Sequence, residues 1–168
     1  VGSTTTTDVS ASDGTNVVRF DNGAELASGV LGIAQSYYAG CFTANDSLWY
    51  LEEIDITFDD ATTWEYGPAA PSVSESDFES VCVHELGHAH QLGHVNNTNW
   101  VMNYSLANGE MIRTLANESD IAGGNAVMAQ SVLGNDCGPT SMVALNSGNC
   151  TLGAPIADFG FTTSGLTV

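Results

Sequence analysis

The chain has 168 residues, 43% of them hydrophobic, which suits one domain with its own core and is too little for two large ones. Its 20 acidic residues face two basic ones, Arg19 and Arg113, for a formal charge of -18; such a surface repels nucleic-acid phosphate and anionic lipid and has no basic patch to grip either. No apolar run reaches the ~18 residues of a membrane span, and Val1 does not open a signal peptide, so any such segment is expected to have been removed.

Residues 1–15 are small and polar, with nothing to bury, and read as a flexible leader, so the fold is expected to begin near Asn16. Asn16 to Phe20 and Gly29 to Tyr38 are β-rich runs separated by turn residues around Asp21, Asn22 and Gly23. Leu48 to Phe58 alternates apolar with acidic residues toward its end, which brings the expectation to at least three strands. Ser76 followed by Glu79 has the form of a capping box, and Phe78, Val81, Cys82, Leu86 and Ala89 continue at helical period. After Gly93 no clear period returns until Asn117-Glu118-Ser119-Asp120, a second cap, predicts a helix through Ile121, Val127 and Met128 to near Val132. From Gly153 two short β-runs surround a Ser-Gly turn, giving provisional divisions of 1–15, 16–152 and 153–168.

Four cysteines, Cys41, Cys82, Cys137 and Cys150, lack CxxC spacing, and an even number suits two disulfides in an oxidising, extracellular compartment. Of the three pairings, Cys137 with Cys150 is favoured because it closes a short Gly- and Asn-rich loop, leaving Cys41 with Cys82. Sequons at Asn45, Asn96, Asn103, Asn117 and Asn149 permit surface glycosylation. The acidic excess has two readings that composition does not separate, solubility in a salty exterior and calcium binding by clustered carboxylates.

The chemistry is concentrated in HELGHAHQLGH. His84 and His88 are four residues apart, so on a helix both rings project from one face and converge on one ion. Glu85 lies about 100° around from His84, placed to reach a water on the ion without competing as a ligand. His94 follows Gly93, where the chain can leave the helix and turn back to supply a third nitrogen. Three neutral imidazoles with an open fourth position describe a catalytic zinc site, since structural sites are usually closed by four protein ligands. Such a site lowers the pKa of its water to about 7 and polarises a carbonyl, with Glu85 moving the proton, so amide hydrolysis is the expected reaction class. HExxH alone has three fixed letters and occurs on helices that bind no metal. Here all four histidines fall between His84 and His94 and three have ligand spacing; His90, about 200° from His88, is expected to face away.

These residues resemble the metzincin clan of zinc endopeptidases, whose pattern is HExxHxxGxxH followed by a methionine-containing turn beneath the metal. WVMNY matches that turn, and the resemblance implies that Met102 forms the base under the imidazoles. It also implies that Tyr104, like its counterpart in astacin-like and serralysin-like members, binds the metal or stabilises the oxyanion. GVLGIAQSYY, ITFDDATTW and LANESDIAGGNAV are similar to matrixin segments, so the likeness covers roughly residues 16–132. It implies an α+β, metzincin-like zincin fold: a twisted mixed sheet, an active-site helix and a small C-terminal subdomain around the Met-turn. By the same likeness Leu31, Gly32 and Ala34 line the upper rim of a cleft whose free strand edge pairs with a peptide substrate, and Asn103 to Thr114 wall the pocket for the residue after the scissile bond. One catalytic zinc is implied, since no histidines remain for the second, structural zinc of matrixins. Calcium finds a partial match in Asp59 and Asp60. Gln91 departs from the family by standing where it has glycine.

The segment PIADFGFTTSGLTV resembles the start of a PKD-type β-sandwich, which implies further domains of the same polypeptide. The whole reads as a secreted, monomeric zymogen-type enzyme acting on protein or peptide, whose latency segment would precede Val1. Two alternatives stand beside it: a non-catalytic module that has kept the fold, against which intact Glu85 argues, and a gluzincin with Glu118 in place of His94 as third ligand.

Overall fold

A computed structural model describes residues 8–10, 12–44, 47–115 and 117–134. The expected Cys137–Cys150 bridge and the PKD-like end lie outside these residues. The order is β1 (Val18–Phe20), β2 (Gly32–Phe42), β3 (Ser47–Phe58), β4 (Trp64–Glu65), β5 (Ser76–Asp77), α1 (Phe78–Ala89), a π-helical turn (Asn117–Ile121) and α2 (Ala122–Ser131). Strands β1, β3 and β2 form a mixed sheet in that spatial order, β1 parallel and β2 antiparallel to β3, while β4 and β5 make a small parallel pair. The described architecture is thus α+β, and no described helix is long and apolar enough to cross a membrane.

β3 is the central strand because its residues suit burial on both faces. Ile56 and Phe58 point toward α1 and form the core with Val81, flanked by Leu31, Ala34, Ile54, Trp64, Phe78 and Cys82. Phe78, at the first turn of α1, packs on Phe20, Phe58, Trp64 and Tyr66 with ring centroids 4.9–5.6 Å apart, which anchors the helix to both sheets. On the opposite face Glu53 and Asp55 are buried carboxylates. They accept from the chain preceding β1: the Asp13, Gly14 and Thr15 N–H groups donate to Glu53, and Val17 N–H donates to Asp55 Oδ1 at 2.8 Å. The described part of the polar leader therefore docks largely through its backbone, Val9 included, whose carbonyl accepts from Tyr37 Oη at 2.8 Å.

Several boundaries differ from the sequence expectation. β2 starts at Gly32, not Gly29, because Gly29 takes a left-handed turn at φ 83°, and it continues to Phe42 on the ladder with β3. The N-cap of α1 is Asp77, whose Oδ2 accepts from Ser80 N–H at 2.9 Å; Ser76 lies in β5, and its hydroxyl donates to Asn108 Oδ1. Cys82 is a free thiol in the core and Cys41 is disulfide-bonded elsewhere, which corrects the Cys41–Cys82 pairing. The reason is register: Cys41 pairs with Leu48 at the far end of β2, while Cys82 packs at the Ile56–Phe58 end. Seven residues of strand, ~23 Å, separate Cys41 from Ala34, against the ~7 Å limit between bridged Cα atoms. Asn103 is also corrected as a glycan acceptor, since it is buried with its amide donating to the Ser105 carbonyl.

Candidate active site

α1 delivers two of the three histidines from one face, and a tight turn delivers the third. At the helix end Gln91 N–H donates to the His88 carbonyl and Leu92 N–H to the Gly87 carbonyl, the doubled closure of a Schellman motif. Gln91 has φ 65°, the left-handed conformation for which the family pattern uses glycine, so the turn forms despite the substitution. The chain then reverses and brings His94 back over α1.

The Nε2 atoms of His84, His88 and His94 lie 3.0–3.2 Å from one another. Their other nitrogens fix the tautomers, because His84 Nδ1–H donates to the Val101 carbonyl at 2.7 Å and His88 Nδ1–H to the Leu92 carbonyl at 2.8 Å. Burial holds the His84 and His94 imidazoles below their ordinary pKa, aided by the neighbouring rings. Lone pairs therefore face one another across ~3 Å, an arrangement that repels unless a cation lies among them. Ligands at the ~2.0–2.1 Å of a Zn–N bond stand about 3.3 Å apart in a tetrahedron, so the triad fits one zinc ion.

Met102 is buried against Gly87 of α1, and the turn carrying it is locked to the His94 segment by Val95 N–H donating to the Met102 carbonyl at 2.8 Å. Gly87, between the two helical ligands, makes this possible: any Cβ there would overlap Met102 Sδ. Sequence reasoning passed over Gly87, although a glycine inside a helix, at a cost of about 1 kcal/mol, is itself a signal of close packing. It also missed the carbonyls of Val101 and Leu92, which no side-chain motif reveals.

Glu85 is buried beside the triad. Burial pushes its carboxyl up to about 7 against the opposing hydrogen bond from Ala34 N–H, and Oε2 has no protein partner. The carboxylate fits because Gly32 leaves room: a Cβ on Gly32 would sit 2.9 Å from Glu85 Oε1 and 3.2 Å from Phe58 Cδ1. A cleft of about 700 Å³ runs across these groups. Leu31, Gly32 and Ala34 line its upper rim and Tyr104, largely exposed, stands on its lower side. Segment Asn103–Ile112 closes one end, held to α1 by Ile112 N–H donating to Ser80 Oγ at 2.7 Å and by Arg113 paired with Asp77. His90 faces away, its Nε2 donating to the Gly124 carbonyl on α2. Glu118 lies on the π-helical turn and is not among the converging ligands. A second group, Asp21, Asp59 and Asp60, brings carboxylate oxygens within 4.8 Å of one another. Asp21 is held below the usual carboxylate range chiefly by the Asp60 N–H, so the loop's own backbone satisfies much of that group.

Comparison with known proteins agrees with this arrangement. No curated protein matches the chain. The matrixin model of the zinc metallopeptidases matches residues 35–128, which takes in most of β2, all of β3 and α1, the histidine triad, the Met102 turn and most of α2, and the chain belongs to the matrixin family.

Proposed function

We propose that the domain is a zinc-dependent endopeptidase, secreted to act on protein or peptide substrates, with His84, His88 and His94 holding the metal and Glu85 acting as general base and then acid. The observation that carries this reading is the set of three mutually facing Nε2 lone pairs, each 3.0–3.2 Å from the others, beside a buried carboxylate with a free oxygen. Zinc supplies the acidification of a water to a pKa of about 7 and the polarisation of a substrate carbonyl.

The chain's own groups do the rest. Glu85 takes the water's proton on Oε2, the oxygen not engaged by protein, and returns it to the leaving amine; a base with a pKa near 7 suits both transfers at neutral pH. Its hydrogen bond from Ala34 N–H keeps the carboxylate turned into the cleft. β2 has no strand on its cleft side among the described residues, so its edge is open to an extended substrate backbone. Asn103 to Ile112 wall the pocket after the scissile bond, and the Tyr104 phenol, on the same rim, offers a donor to the developing oxyanion. An intact base argues against a purely binding module. The test is Glu85→Gln, which should lower peptide cleavage by ~10²–10⁴-fold while leaving one zinc per chain; unchanged cleavage at full metal occupancy refutes the mechanism.

A further inference from the structure

Gln91 is the one non-glycine residue with positive φ among the described residues, and its side chain has a partner that glycine would not offer. Tyr38 Oη donates to Gln91 Oε1 at 2.7 Å, and Gln91 Nε2 reaches back to the His88 and Ala89 carbonyls at 3.4 and 3.5 Å. Tyr38 stands on β2 and Gln91 on the turn after α1; both line the cavity. The bond therefore joins the strand side of the cleft to the C-terminal end of α1, whereas the Asn103–Ile112 wall is tied to the first turn of that helix.

The strand direction tells which part of a substrate meets it. Ala34 N–H donates to Glu85 and so points away from β3, which makes the backbone groups of Gly32 and Ser36 and the Ala34 carbonyl those that an added strand would use. β2 runs from Gly32 toward Phe42, and a peptide pairing with it antiparallel places its N-terminal part near Ser36 and Tyr38 and its C-terminal part near Leu31 and Gly29. From Ala34, beside the general base, to Tyr38 is four residues of strand, ~13 Å, which leaves room for about three substrate residues before the bond is reached.

We infer that the Tyr38–Gln91 hydrogen bond is a clasp that closes the cleft on the side preceding the scissile bond and confines substrate selection there to about three residues. A longer chain must leave the groove at the clasp. This makes Tyr38 and Gln91 specificity-determining, and it rests on the peptidase reading above.

The test uses a peptide taken from a library as cleaved by the zinc-loaded domain, then lengthened at its N-terminal end one residue at a time. For the wild type, kcat/KM should rise with each residue up to about the third and then stay flat. Tyr38→Phe removes a single oxygen, and Gln91→Gly installs the residue that the backbone favours; in both, kcat/KM should keep rising, by roughly threefold for each of the next residues. The same peptides are titrated calorimetrically against zinc-loaded Glu85→Gln, alone and combined with each change, so that the length dependence is also read from binding. Zinc content by metal analysis should stay at one per chain. Unchanged length dependence in both variants overturns the clasp, as does loss of zinc, which would assign the bond to holding the His94 turn. Absence of any cleaved peptide with the wild type overturns the peptidase reading instead, and the binding series, started then from a library peptide selected for binding to zinc-loaded Glu85→Gln, decides the clasp.

Discussion

Replacing Gly87 by alanine should weaken both the fold and the metal centre, although on an exposed helix the same change stabilises by about 1 kcal/mol. Gly87 lies in α1 between His84 and His88. A Cβ there would overlap Met102 Sδ, would stand 3.1 Å from its Cε, and would meet a side chain only 1% exposed and so without space to retreat into. Overpacking of this kind costs roughly 1–3 kcal/mol, and with the clash on a buried sulfur the upper part of that range applies. Set against the helix-propensity gain, the net loss is about 1–2 kcal/mol, or ~2–8 °C in Tm for a chain of this size. Met102 cannot shift without moving Val101, whose carbonyl holds the His84 tautomer, so zinc affinity should fall with stability. Urea unfolding of the metal-free and zinc-loaded protein, with chelator competition for affinity, measures both. A metal-free Gly87→Ala protein as stable as the wild type, with unchanged zinc affinity, would show that Met102 is not the constraint.

Gly32→Ala should lower kcat by one to two orders of magnitude, roughly, with zinc retained, because its Cβ would press on Glu85 Oε1 at 2.9 Å and misplace the base; kinetics beside metal analysis separate this from loss of the site. Arg113→Met should destabilise by about 3 kcal/mol by leaving Asp77 buried without its cation, measurable by denaturant unfolding. Burial alone would raise the Asp77 carboxyl, but hydrogen bonds from Arg113 and Ser80 outweigh it and hold it below its ordinary value of 3.8. A depressed carboxylate stabilises fully above its unfolded pKa and loses that contribution as pH falls through the folded one, so the wild type should lose stability below about pH 4 and Arg113→Met should lose less. Peptide mapping without reduction should find Cys82 as a slowly alkylated free thiol, its pKa raised by burial, and Cys41 in a bridged peptide; a Cys41–Cys82 crosslink would contradict the register of β2.

The triad was readable because its information is local: His84, Glu85, His88 and His94 fall within one helix and its following turn, where periodicity and ligand spacing determine geometry. The same is true of α1 as a whole, apart from its cap. Ser76 and Asp77 are equally good caps by sequence, and the choice was made by Asn108, which takes the Ser76 hydroxyl from 32 residues away. Long-range pairing likewise set the ends of β2, and with them the distance that rules out Cys41–Cys82. Gly87 and Gly32 were legible in principle, since each is a costly residue within a regular element, but the atoms that demand them, Met102 Sδ and Glu85 Oε1, belong to contacts that only the fold creates. Gln91 was flagged as a departure from glycine, whereas its partner Tyr38, 53 residues away, was not.

The segments that supply ligands to the centre also supply one another's supports. Leu92, on the turn leading to His94, gives its carbonyl to His88 and its N–H to Gly87; Val101, next to Met102, gives its carbonyl to His84; and Val95 closes on Met102. No ligand can move without disturbing a hydrogen bond that places another, so the three imidazoles are positioned by the protein rather than gathered by the ion. The cost of that preorganisation is lone-pair repulsion at ~3 Å between the facing Nε2 atoms, and a cation among them relieves it. Burial therefore serves two purposes at this site: it favours the metal-binding neutral form of His84 and His94, and it raises Glu85 to the range where a carboxylate exchanges protons at neutral pH. Two close contacts carry these effects into the site, Met102 against Gly87 between the helical ligands and Glu85 with Phe58 against Gly32, which is why changes as small as one methyl group at either glycine are expected to reach the chemistry.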